Sequence, residues 1–311
     1  MKNRISSIIL AALLCFVFLF VGACSNDKPE SFSMVVFTDV HHGDMNYNNF
    51  DCTNGLKKLR TILDETRAAD CFVNLGDLVD YLKGGKSTFY DEAVAVFNEF
   101  GLSCYTSNNS ADQKLIYNAM GNHEAAYIAK KELSAYVPYV DNIGSCYVFE
   151  RGGVLFVMVD ANFERESASD DTSVLRTATK FTIPEAEINW LKNAVSEAMH
   201  EGISSIVWLS HIAFKDIDNT SRFALADELI SYGLPVTIFD GHTHVEADDE
   251  WINEDTGKLE MKTYTLPAVT TGLGKAMQPG DQSGYRYYIL NFEDGKLKTV
   301  TKRLDGLIYL E

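Results

Sequence analysis

Residues 32–41 read FSMVVFTDVH. A β-prone apolar run, Phe32 to Thr38, passes without a break into Asp39-Val40-His41. The same transition recurs four more times. Cys71–Leu75 runs into Gly76-Asp77-Leu78-Val79-Asp80, and Leu115–Met120 into Gly121-Asn122-His123-Glu124. Ser205–Ser210 is followed by His211, and Val236–Phe239 leads to Gly241-His242-Thr243-His244. Ligand sites in α/β sheets lie at the carboxyl ends of strands, so these five loops can converge on one place.

The stretches between carry helical periodicity. Leu56, Leu59, Ile62 and Leu63 share one helical face, and so do Ala93, Val94, Phe97 and Phe100 within 89–100. A helix is predicted over 124–135, and another from Pro184 to about His200, proline being suited to a first helical turn. Ser145–Glu150 and Val154–Asp160 flank Arg151-Gly152-Gly153, a hairpin signal, and the chain from Trp251 onward is strand-rich. Strands alternating with helices, together with the hairpin and the strand-rich tail, predict an α/β fold with two mixed β-sheets packed between helices. The expected organisation is a signal segment over 1–23, a tether over 24–31 and one domain over 32–311.

The N-terminus reads as a targeting segment. Lys2 and Arg4 precede the nearly all-apolar run Ile5–Ala23, which ends in Val21-Gly22-Ala23-Cys24. That ending resembles a bacterial lipobox, after which Cys24 would carry lipid; an uncut membrane anchor is the alternative. Either way the folded part is expected outside the cytoplasm, exported and held to a membrane. With 46% apolar residues the 311-residue chain can bury a sizeable core. Its net charge of −17 makes DNA or RNA a poor partner, because such affinity depends on neutralising phosphates with Lys and Arg. No protein partner can be inferred. Cys52, Cys71, Cys104 and Cys146 show no CxxC spacing, and their pairing is undecided.

Of the 7 histidines, all but His200 (His41, His42, His123, His211, His242 and His244) fall in the strand-end loops. His200 reads as a cation in the last turn of its helix. Carboxylate, imidazole and amide oxygen together suit Mn, Fe, Zn, Co or Ni, and a pair of divalent ions can clamp a phosphate. Asp39 and His41, two apart on an extended segment, are expected to project to one side, as are His242 and His244. Gly76, Gly121 and Gly241 let the backbone turn and approach closely.

These motifs, in this order, resemble the calcineurin-like metallophosphoesterase superfamily, whose pattern is D-x-H, GDxxD, GNH(D/E), a lone H and GHxH. The resemblance covers about residues 32–295, and Glu187-Ile188-Asn189-Trp190-Leu191 echoes the Gln-x-x-Trp-Leu of many members. It implies a four-layer sandwich holding two divalent metal ions. Asp39, His41 and His244 would hold the first ion, Asn122, His211 and His242 the second, and Asp77 would bridge both. A hydroxide between the metals would attack phosphorus. His123 would bind no metal; it would stabilise the phosphoryl oxygens or protonate the leaving group.

Asp80 and Glu124 would orient imidazoles, or are simply acids favoured at helix starts. His42 would contact substrate or be a solvated neighbour of His41. Arg286 would contact phosphate or be a cross-strand surface residue, and Lys275, in the glycine-rich loop 270–283, is a further candidate for substrate contact. The implied activity is hydrolysis of small phosphodiesters or nucleotide-type esters, near the cyclic-nucleotide phosphodiesterase-like and nucleotide diphosphatase-like branches. A protein phosphatase, an exonuclease and an inactive module binding a phosphorylated ligand are the alternatives, the nuclease disfavoured by the acidic charge.

Overall fold

The computed structural model describes residues 30–44, 52–80, 88–106, 109, 113–163, 181–252, 257, 259–270, 286–304 and 307–310. Residues 1–23, expected to be a signal segment, Cys24, most of the expected tether and Lys275 lie outside the described residues. Among those described, no helix is long and apolar enough to cross a membrane.

Within the described residues, thirteen strands form two mixed sheets. The first contains β1 (Phe32–Phe37), β2 (Cys71–Asn74), β3 (Leu102–Cys104), β4 (Lys114–Asn118), β11 (Arg286–Glu293), β12 (Lys296–Leu304) and β13 (Leu307–Leu310), in the spatial order β13-β12-β11-β1-β2-β4-β3. β1 to β4 run parallel, while β11 is antiparallel to β1. The second sheet contains β5 (Tyr147–Arg151), β6 (Val154–Val159), β7 (Ser205–Ser210), β8 (Val236–Asp240), β9 (Ala247–Ile252) and β10 (Leu259–Thr265), in the order β5-β6-β7-β8-β10-β9. Its four central strands are parallel and both edge strands antiparallel. The predicted hairpin joins β5 to β6. Gly152 and Gly153 take φ of +55° and +76°, the left-handed pair that a tight hairpin turn requires.

Alternation along β1 explains the layering. Val35 and Phe37 face α1 (Gly55–Glu65) and α2 (Phe89–Glu99), where Leu59, Ile62, Phe89 and Phe97 complete an outer core. Met34 and Val36 face the second sheet and join Val73, Tyr117, Phe149, Phe156, Leu209 and Tyr288. Tyr117 and Phe149 stack there with ring centroids 3.7 Å apart. The far face of the second sheet, with Leu155, Val157, Ile206 and Trp208, is covered by α4 (Glu185–Ala198) and α5 (Asn219–Ser231). The result is the expected sandwich of helices, sheet, sheet, helices. Cys52, Cys71, Cys104 and Cys146 form no disulfide; burial pushes Cys71 up to about 12.

The helix expected over 124–135 is broken into α3 (Asn122–Ala125) and a 3-10 turn, Lys130–Leu133. Two polar side chains explain the break. Glu124 folds back onto the preceding turn, and Lys130 reaches Asp160 at the end of β6.

Candidate metal centre

The parallel strands of both sheets end at one place, and backbone bonds lace the strand-end loops together. Asp39 N donates to Gly76 O at 3.0 Å, His41 N to Asp77 O at 2.9 Å and Gly241 N to His211 O at 3.0 Å. The two sheets meet where His211 Nδ1 lies 3.1 Å from Leu75 O and where His242 N donates to Asp39 Oδ2 at 3.1 Å.

The backbone here is strained in a patterned way. Among the described residues, seven other than glycine have positive φ, and five of them are Asp39 (+57°), His41 (+48°), Asp77 (+49°), His242 (+68°) and His244 (+60°). A left-handed residue with a Cβ costs roughly 1–2 kcal/mol, so such clusters persist where the surroundings impose them, and they gather at functional sites. Asp39 and His41 therefore converge through left-handed backbone rather than the expected strand alternation, and His242 and His244 do the same. Gly76 has φ +107°, and a Cβ on Gly121 would lie 2.1 Å from Asp77 N, so glycine is required at both positions.

Seven side chains come together in two knots. In one, His244 Nε2 is 2.9 Å from Asp39 Oδ1, His41 Nε2 is 3.4 Å from the same oxygen, and the two imidazole nitrogens are 3.2 Å apart. In the other, Asn122 Oδ1 is 2.8 Å from His211 Nε2 and 2.9 Å from His242 Nδ1. Asp77 joins them, its Oδ2 lying 3.7 Å from His41 Nε2 and 3.3 Å from His211 Nε2.

Both aspartates are buried, and each spends one oxygen. Asp39 Oδ2 accepts from Thr38 Oγ1 at 2.7 Å and from His242 N, while Asp77 Oδ1 accepts from His123 N at 2.8 Å. The remaining atoms, Asp39 Oδ1 and Asp77 Oδ2, are buried and accept no hydrogen bond. A bare carboxylate oxygen ringed by imidazole nitrogens is the donor set of a divalent transition ion, and Asp39, His41, Asp77 and His244 can converge on one.

Titration behaviour agrees. Burial would raise the Asp39 carboxyl, but His244 and His41 hold it well below the usual carboxylate range; His211 and His123 do the same to Asp77. Burial disfavours a charged His41, yet Asp39 and Asp80 raise it to about 10, and Asp77 raises His211 to about 9 against the same penalty. His242 is pushed down to about 4 by burial and by His211.

The surrounding candidates divide. His123 sits at the mouth of the cluster, with Nε2 3.9 Å from Asp77 Oδ2 and Nδ1 3.4 Å from Asp80 Oδ1. Asp80 also lies 3.6 Å from His41 Nδ1, so it faces two imidazoles, and against the effect of burial their hydrogen bonding holds it far below its ordinary value. Glu124, for which orienting an imidazole and serving as a helix-start acid were the two expectations, lies in the first turn of α3 and accepts from the backbone N–H groups of Asp77, Val79 and Gly121 at 3.0–3.1 Å. Burial and the nearby Asp77 raise its carboxyl to about 8.

His42 is no solvated neighbour. It is 9% exposed, and its Nε2 lies 2.7 Å from Glu92 Oε2 in the first turn of α2. Arg286 opens β11; since Val36 pairs with Tyr288, it lies level with Thr38, at the site end of the first sheet. His200 pairs with Glu150 at 2.9 Å, just beyond the end of α4.

No motif marked the loop after β6, where Asp160, Asn162 and Phe163 are buried against the 120–130 segment. The signal that could have found it is a sixth apolar strand, Val154–Val159, running into Asp160-Ala161-Asn162.

Comparison with known proteins gives a consistent result. The profile of the family described as calcineurin-like phosphoesterase matches residues 32–246. A search of curated proteins gave no match. Among solved structures, a dimetal phosphatase from Danio rerio superposes with a TM-score of 0.65 at 13% identity, covering 91% of this chain and 99% of that one. A 5'-nucleotidase precursor from Thermus thermophilus gives 0.50 at 14% identity over 90% of this chain, which spans 55% of that protein's length.

Proposed function

This chain belongs to the calcineurin-like phosphoesterase family, and from that premise we propose that it is a dinuclear hydrolase of small phosphodiesters or nucleotide-type phosphate esters. One observation carries the reading: Asp39 Oδ1 and Asp77 Oδ2, buried without hydrogen bonds, sit among five imidazole and amide ligands. Asp39, His41 and His244 would hold one ion, Asn122, His211 and His242 the other, and Asp77 both. Bound there, the two ions would supply an activated water nucleophile and charge to neutralise the phosphate.

The chain's own groups do the rest. Thr38 and the His242 N–H lock Asp39 so that one oxygen points inward. Glu124 holds Asp77 N and Gly121 N, which fixes the two ligand-bearing turns relative to each other. His123, with Nδ1 turned to Asp80, would present Nε2 to the substrate and pass its proton to the departing oxygen. Arg286 at the site end of β11 would meet a phosphate oxygen.

The net charge of −17 argues for a small substrate rather than a polyanion. The shared fold of a dimetal phosphatase and a 5'-nucleotidase precursor agrees with that class. The basic and apolar N-terminus supports export with a lipid anchor at Cys24. In that arrangement residues 25–31 and the six-residue strand β1, about 20 Å long, lie between Cys24 and Asp39 along the chain.

The test is a substrate panel. The chain is stripped with chelator, reloaded with Mn²⁺ or Co²⁺, and given bis-p-nitrophenyl phosphate, p-nitrophenyl phosphate, nucleotide diesters and nucleotide monoesters. Free phosphate is read against nucleoside monophosphate as product. Metal-loaded protein that cleaves neither nitrophenyl ester sinks the proposal.

A further inference from the structure

Behind the turn that carries Asn122 and His123, the loop after β6 contributes a side chain that holds the turn from the other sheet. Asn162 is 1% exposed, and its Nδ2 donates to the Met120 carbonyl at 2.6 Å and to Asp160 Oδ1 at 3.1 Å. Turning the amide over would set its oxygen against both of those acceptors, so hydrogen-bond chemistry fixes its orientation. The N–H of the same peptide, on Gly121, donates to Glu124 Oε2 at 3.0 Å. The peptide linking Met120 and Gly121 is therefore pinned at its carbonyl and at its N–H, immediately before Asn122.

Asn162 has little freedom of its own. Its N–H donates to Asp160 Oδ1 at 3.0 Å, and its carbonyl accepts from Lys130 Nζ at 2.9 Å. The same ammonium lies 2.8 Å from Asp160 Oδ2 and 3.3 Å from the centroid of the Phe163 ring. Lys130 belongs to the segment that bears the turn, seven residues after His123. The end of β6 thus grips that segment at two points, Met120 and Lys130. Asp160 is itself anchored, its N–H donating to Glu187 Oε1 at 2.8 Å and its Oδ2 accepting from Ser145 N at 3.0 Å.

We propose that Asn162, seated by Asp160 and Lys130, is a positioning residue that sets the plane of the 120–121 peptide and through it the aim of Asn122 Oδ1 and His123. The catalytic part of this inference rests on the phosphoesterase reading; its metal-binding part does not. Groups that orient metal ligands from behind are worth about 10–100-fold in metal affinity or activity. A purely structural bridge would instead lower thermal stability and leave affinity, spectrum and turnover alone.

The experiment compares the full chain with Asn162→Ala and with Asn162→Asp, which keeps the shape but turns the donor toward Met120 into an acceptor. Co²⁺ is titrated into chelator-treated protein, with affinity read by competition and ligand geometry by the visible absorption of Co²⁺. The expected result is a loss of about 10–100-fold in affinity for one of two equivalents, a changed spectrum, and a fall in kcat of similar size with little change in KM. Asn162→Asp should be at least as damaging as Asn162→Ala. If the Asn162 variants fail to fold, Lys130→Gln must shift Co²⁺ affinity in the same direction. Variants that bind two equivalents with wild-type affinity and spectrum overturn the proposal, whatever their melting temperatures. A wild-type chain that binds Co²⁺ yet hydrolyses nothing defeats the proposed function instead, and the affinity and spectrum still judge Asn162.

Discussion

Asp77→Asn keeps the shape of a side chain that is 1% exposed and removes one charge where the two knots of the site meet. Asp77 Oδ1 accepts from His123 N at 2.8 Å, so an asparagine would keep its oxygen on that side. Its NH2 would then replace Oδ2, which lies 3.3 Å from His211 Nε2, 3.7 Å from His41 Nε2 and 3.9 Å from His123 Nε2. A donor would occupy the point at which a cation needs a lone pair. Coulomb's law at about 3.5 Å, with an effective dielectric of about 20, puts the lost attraction near 5 kcal/mol per unit of cation charge. At about 1.4 kcal/mol per decade, that is a loss of more than three orders of magnitude in affinity. Relaxation that recovered half of it would still leave a loss of about 50-fold. Because the oxygen faces both knots, both equivalents should weaken and turnover should fall with them. The assay strips the protein with chelator, reloads it with Co²⁺ and measures stoichiometry, competitive affinity and cleavage of bis-p-nitrophenyl phosphate. An Asp77→Asn protein that held two equivalents at wild-type affinity would refute the bridging position.

His123→Ala should retain both metal equivalents while kcat falls by about 10²–10⁴, as for loss of a proton donor; unchanged turnover would remove His123 from the chemistry. Asp80→Asn should cost about 10–100-fold in kcat or metal affinity, since its carboxylate faces His41 Nδ1 and His123 Nδ1; kinetics matching wild type would leave it a merely local acid. Glu187 is fully buried, and burial followed by the neighbouring Asp160 raises its carboxyl well above the ordinary value. A raised carboxyl binds its proton more tightly in the folded state, so its contribution to stability is full below about pH 4.3 and is lost as pH rises toward the folded value. Glu187→Gln removes that loss. Its melting temperature should match wild type near pH 4 and exceed it at pH 8, with about 1 kcal/mol appearing as roughly 2–4 °C. A lower melting temperature at pH 8 would show that Glu187 is ionised and needed as such.

Local pattern alone dictates the layers and the kind of chemistry. The continuous apolar character of β1, β6 and β7 demands burial on both faces, and that demand is met only by a sheet covered on each side. Aspartate, asparagine and histidine at five strand ends name a metal-binding donor set before any coordinate is known. Other elements stayed hidden because their signals are not periodic. Helix α5 has no clean apolar stripe, since Arg222 and Ser221 are buried beside Leu225 and Leu229. The helix expected over 124–135 fails because Glu124 and Lys130 serve distant partners instead of their own helix.

Which group each polar side chain meets is settled by the stacking of the two sheets and the helices that cover them. His42 and His41 are adjacent in the chain, yet one pairs with Glu92 and the other enters the cluster. Asn162 looks like any loop residue until the two sheets are stacked and its amide reaches Met120, 42 positions away. Burial preference is written in local periodicity and can be read residue by residue. A hydrogen bond between chain-distant groups depends on tenths of an ångström in the packing of two sheets, and no local pattern encodes that distance.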